Sequence, residues 1–130
     1  MARKAGILSG LCLVFSAAVV QAYDGLTYYG AEIGPQDHFN SQGQSLGSLR
    51  EVLRQDRANY HLLGKRDRRD QNDGFFRKAE RRGLFDKAQI RVDPKLERDI
   101  LNGKVTVITV WVYSETLMEV TQGLPAEGAD

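Results

Sequence analysis

The run Val105–Tyr113 (VTVITVWVY) constrains the fold of this chain more than any other segment. β-Branched and aromatic residues occupy both alternating rows, so the segment belongs in the middle of a sheet with one face against helices. A lone strand or hairpin is marginal in water, so the rest of the chain must supply partners. Leu117–Thr121 (LMEVT) can pair back across a turn at Ser114-Glu115. Ala88–Val92 (AQIRV) alternates with Ile90 and Val92 on one side, and Gly25–Ile33, ended by Gly34-Pro35, reads as a first strand.

Helices to cover that sheet are marked by their ends. Ser48-Leu49-Arg50-Glu51 has the form of a capping box, and Leu49, Val52, Leu53, Tyr60 and Leu63 make one apolar stripe closed by Gly64, which predicts a helix over about 49–63. Asp56 falls on that stripe and needs a partner there, such as Arg57, Tyr60 or a later arginine. Asp73 as N-cap predicts a short helix with Phe75, Phe76 and Ala79 on one face, Arg77, Lys78, Arg81 and Arg82 on the other, and Gly83 at its end. Asp93-Pro94 starts a third helix carrying Leu96 and Ile100 and ending at Asn102-Gly103, with a hairpin at Asn-Gly as the alternative. Pro35–Gly47 reads as a loop, and Lys65–Asp73 (KRDRRDQND), which has no apolar member, as an exposed charged turn. The resulting order, β-α-α-β-α-β-β, predicts an α+β domain: a small, mainly antiparallel sheet of three to four strands with two to three helices on one face.

Ahead of this domain, Arg3 and Lys4 precede an apolar stretch from Ala5 to Val20 and a small-residue ending, the pattern of a signal peptide cleaved after Ala22. The stretch falls short of the ~20 residues of a bilayer span, so no stable membrane span is expected after cleavage. The domains are therefore read as 1–22 signal peptide, 23–122 folded unit and 123–130 flexible tail, with the product periplasmic or secreted. Cleavage removes two of the 18 bases, none of the 17 acids and the only cysteine, leaving 108 residues with net charge −1. No disulfide can form, so a packed core, alone or with a second subunit, has to provide the stability.

Near-neutrality hides segregation. Tyr23–Leu49 carries −3, Arg50–Gly83 has eleven bases and six acids for +5, and Leu84–Asp130 carries −3. Such a band either pairs internally or faces an anionic partner. The contact surface read from it is Arg66, Arg68, Arg69, Arg77, Arg81 and Arg82, and the partner class is an anionic envelope component or an acidic protein surface. Nucleic acid fits poorly, because the exported chain is net acidic. A homo-oligomer burying the Val105–Tyr113 sheet face is a further expectation.

Motifs for catalysis are sparse. The sequence has no phosphate-binding glycine loop, nucleophile elbow or H-E-x-x-H pair. Asp67, Asp70 and Asp73 before Gly74 miss the calcium-loop spacing, since Arg69 would take the first ligand position. His38 and His61 are the two histidines, and a small hydrolase or metal-dependent enzyme using His38, Asp56 and His61, with Asp37, is the alternative reading. The reading adopted is a non-catalytic binding or accessory protein with no cofactor and no metal.

Overall fold

The apolar segments pair as their alternation demands. The structure, a computed structural model, describes residues 23–126; the expected signal peptide 1–22 and the end of the expected tail, 127–130, lie outside the described residues. Four strands, β1 (Thr27–Ile33), β2 (Gln89–Val92), β3 (Thr106–Ser114) and β4 (Leu117–Gln122), form one sheet in the order β1-β3-β4-β2. The β-branched run thus lies in the interior of the sheet, antiparallel to β1 from Thr27↔Val112 to Ile33↔Thr106 and antiparallel to β4 around Val110↔Val120. A register shift between Val112 and Ser114 marks the hairpin end. β2 is the exception to antiparallel pairing: it runs parallel to β4, because α3 (Pro94–Leu101) and all of β3 intervene.

One face of the sheet is the core. Tyr29, Ala31, Ile33, Ile108, Val110, Val112, Met118 and Val120 point to it, and Leu49, Val52 and Leu53 of α1 (Leu49–Ala58) with Leu96 and Ile100 of α3 close over them. Phe76 and Phe85 stack at 4.6 Å in the same layer, with Tyr29 edge-on to Phe76 at 5.7 Å. The α+β architecture with helices on one face is therefore present. On the opposite face Tyr23, Tyr28, Trp111 and Tyr113 pack ring against ring, and the indole N–H of Trp111 donates to Thr121.

Helix ends follow their signals with local departures. Ser48 Oγ accepts from the Glu51 amide, while Glu51 reaches back to the Gly47 N–H rather than that of Ser48. Asp93 caps α3 by accepting from the Lys95 and Leu96 amides, so the Asn-Gly hairpin does not form. The predicted 49–63 helix keeps α geometry only to Ala58 and finishes in a π turn, Asn59–Leu63, closed by Gly64 at φ +68°. The wider turn shifts the side-chain phase: Tyr60 stays buried and Leu63, expected on the stripe, turns to solvent. The segment after Asp73 is also broken. Phe75–Arg77 is a 3₁₀ turn, Lys78 is extended, and α2 (Ala79–Arg82) follows, so Ala79 is exposed rather than grouped with Phe75 and Phe76. The Pro35–Gly47 loop includes a 3₁₀ turn at Pro35–His38.

Candidate functional site

The basic segment is built from the outer edge of β1. An edge strand leaves alternate N–H and C=O groups bare, and here residues 65–73 cover them. The Gly30 amide donates to Gln71 Oε1 at 2.8 Å, the Gln71 amide to the Gly30 carbonyl at 2.9 Å, and the Glu32 amide to Asp70 Oδ1 at 2.9 Å. A Cβ at position 30 would lie 2.6 Å from Leu124 Cδ2 and 2.8 Å from Gln71 Oε1, so any other residue there would push both side chains aside. Arg69 returns the contact through its backbone and Nε, both donating to Glu32.

The aspartates of this segment, three residues apart, face inward. Asp70 accepts from the Asp67 amide at 2.6 Å, and Asp73, buried, accepts from the Phe76 amide at 2.6 Å and from Arg57 Nη1 at 2.7 Å. The sequence expectation of a fully exposed, solvated turn is thus corrected. The bases are outside, but the carboxylates anchor the segment to the protein, because the β1 amides and a buried guanidinium offer them donors. That spacing, D-x-x-D-x-x-D, was the available signal.

Beneath the segment Arg57 is completely buried. Its Nε donates to Asp56 at 2.9 Å and its Nη1 to the Gln71 carbonyl at 2.9 Å, while Tyr29 and Tyr60 lie against the guanidinium at 4.0 and 4.6 Å. Burial alone disfavours the charge, yet Asp56, Tyr29 and Asp73 outweigh it and hold the guanidinium above the ordinary arginine range. Burial pushes the Asp56 carboxyl well up, and Arg57 opposes that only in part. Asp56 is therefore the partner of Arg57, one of the candidates read from the apolar stripe.

The expected contact residues divide. Arg66, Arg68, Arg69 and Arg77 are exposed and Arg81 is half-buried, its guanidinium over Phe75 at 4.6 Å. Arg66 lies on Tyr60 at 4.1 Å, its Nε donating to the Tyr60 carbonyl. Arg82 does not belong to the surface: it is buried and donates to the Phe76 and Arg77 carbonyls, holding the 3₁₀ turn to α2. A recess of about 460 Å³ is lined by Glu32, Arg68 and Arg69. A second, of about 480 Å³ on the β2–β4 side, mixes Arg91 with Asp93 and Glu119 and so has no preference for an anion.

The residues of the enzyme alternative fall into two groups, Asp37 with His38 about Gly34, and Asp56 with His61 linked through Arg57 and Asp73. His38 places Nδ1 2.9 Å from the Gly34 carbonyl and Nε2 2.8 Å from the Ile100 carbonyl, tying the 3₁₀ turn to the end of α3. His61 places Nε2 3.0 Å from Asp73 Oδ1, which puts its proton on Nε2. Asp56 goes to Arg57, and Asp37 accepts from Asn59 Nδ2 and the Gly34 amide. Among the described residues no group of three or more His, Cys, Asp or Glu is placed to hold a metal ion, and no helix is long and apolar enough to cross a membrane.

No protein-family model, curated protein or solved structure matches the chain. The functional reading therefore rests on the site itself. What the arrangement can do chemically is present guanidinium groups on a covered sheet edge.

Proposed function

We propose that this chain is an exported, non-catalytic binding or accessory protein whose basic segment contacts an anionic partner, either an envelope component or an acidic protein surface. The observation that carries the reading is the direction of the charges. Of the six acids between residues 50 and 83, Asp56 and Asp73 are buried and Asp67 and Asp70 half-buried, whereas of the eleven bases only Arg57 and Arg82 are buried. Burial removes two acids and two bases, so the surface of the band keeps the +5 of its sequence sum, carried by nine bases against four acids, of which Asp67 and Asp70 are half-buried. Arg68 and Arg77 carry no ion pair among the described residues, which leaves them available to an external anion.

Two probes separate the partner classes: phosphatidylglycerol vesicles stand for an anionic membrane surface and poly-L-glutamate for an acidic protein. The expected result is binding to one of them that weakens roughly tenfold or more in the double variant Arg68→Glu and Arg77→Glu, with folding unchanged. Equal affinity of the variant, or no binding of either probe, contradicts the reading.

A further inference from the structure

Where the basic segment meets the 3₁₀ turn Pro35–His38, two carboxyl groups come against the same residue, Gly34. Asp37 is fully buried in the 3₁₀ turn, with Oδ1 2.9 Å from Asn59 Nδ2 and Oδ2 3.0 Å from the Gly34 amide. Asp67 of the basic segment lies against the same turn: both its carboxylate oxygens would be 3.4 Å from a Cβ on Gly34, the residue whose amide donates to Asp37, so the two carboxyl groups flank one glycine. Asp67 Oδ2 is buried with no hydrogen-bond donor among the described residues. Two carboxylates supply no hydrogen between them, so this contact is attractive only when one of them carries a proton.

We propose that Asp37 and Asp67 share one proton and form a pH-sensitive latch that holds the basic segment on the edge of β1. The proposal deepens the reading of that segment as a binding surface, and rests on it for its consequence: the latch sets whether Arg66, Arg68 and Arg69 are presented on a fixed scaffold. The groups around the pair reinforce the demand for a proton. Asp70 from the same segment and Asp56 from α1 are further carboxyls close enough to act on it, and each is itself pushed up by burial. The buried cation facing this region, Arg57, is engaged by Asp56 and Asp73. His38, next in the chain, turns its ring to the Gly34 and Ile100 carbonyls. Arg69 is paired with Glu32.

The sign follows from the buried partner. Burial, with Asp67 adding to it against the opposing hydrogen bonds from Gly34 and Asn59, pushes Asp37 up to about 7. A carboxyl raised in the folded state gives a stabilisation that is fully present below the ordinary aspartate range and lost as pH rises through that value. The latch is therefore closed in mildly acidic medium and opens in alkaline medium, opposite to an ordinary salt-bridged aspartate.

Amide hydrogen exchange tests this without any ligand. Protection of the Glu32 and Gly30 amides, which donate to Asp70 and Gln71, is compared with that of the Val110 amide in the central strand, after correction for intrinsic rates. In the wild type the ratio should fall about tenfold or more between about pH 5 and about pH 9. Asp67→Asn replaces the shared proton by a permanent amide donor, so its ratio should stay high and flat with pH; Asp67→Ser, whose hydroxyl is also a permanent donor, serves the same purpose should the first variant not fold. A flat wild-type ratio, a uniform change in all strands, or an Asp67→Asn variant that retains the wild-type dependence overturns the latch. Failure of the vesicle and polyglutamate experiments alone leaves these exchange data unaffected, so the two ideas fall separately.

Discussion

Arg57 decides how the basic segment is held. Its guanidinium is buried between two tyrosine rings and bridges α1 to Gln71 and Asp73, so its removal strips donors from Asp56, Asp73 and a carbonyl at once. Arg57→Ala should destabilise the protein by about 3–5 kcal/mol, a large share of a small domain's stability, and urea unfolding followed by circular dichroism checks it. Exposed Arg68→Ala should change stability by less than about 0.5 kcal/mol in the same assay. Half of this arrangement could be read from the chain: Asp56 interrupts an apolar stripe and so asks for a cation. That the answer is its immediate neighbour, wholly inside, could not be read, because a long cation at the edge of an apolar stripe ordinarily reaches out to solvent, and only the tertiary position of Tyr29 and Asp73 makes its burial tolerable.

At the scale of elements, the strands and α3 followed from local signals. The alternation of residues 106–114, the Asp93-Pro94 start and the Asn102-Gly103 stop each act within a few residues, and tertiary packing agrees with them. The end of α1 was less readable. Nothing local announces a π turn at Asn59–Leu63, which accompanies the Asn59 side chain reaching Asp37 and Tyr60 packing on Arg57. Gly64 closes that turn at φ +68°, where a side chain is strained. Gly64→Ala should therefore lower stability by about 1–2 kcal/mol, read as a drop in melting temperature, whereas an unchanged melt would mean that the turn relaxes without cost. Residues 65–73 hide their role for a related reason. Hydropathy registers only that they are polar, while their function as a cover for β1 lies in which polar atoms meet the Gly30 and Glu32 backbone.

For the molecule as a whole, the segregation of charge along the chain becomes segregation between inside and outside. Of the acids of the central band, Asp56 and Asp73 turn toward Arg57 and Asp70 toward the β1 amides, while Arg68 and Arg77 stay outside with no ion pair among the described residues. The aromatic face of the sheet does not compete as a site for an anion, since the Trp111 and Tyr113 polar atoms already donate to Thr121 and Glu119. Uncompensated surface charge has a direct test in ionic strength. Binding of the protein to phosphatidylglycerol vesicles or polyglutamate, whichever it recognises, is measured across a salt series at constant pH. Affinity should fall steadily with added salt, as exposed charges are screened over a length of about 10 Å at 0.1 M; affinity that holds or grows with salt would contradict the claim that the basic segment is the binding surface.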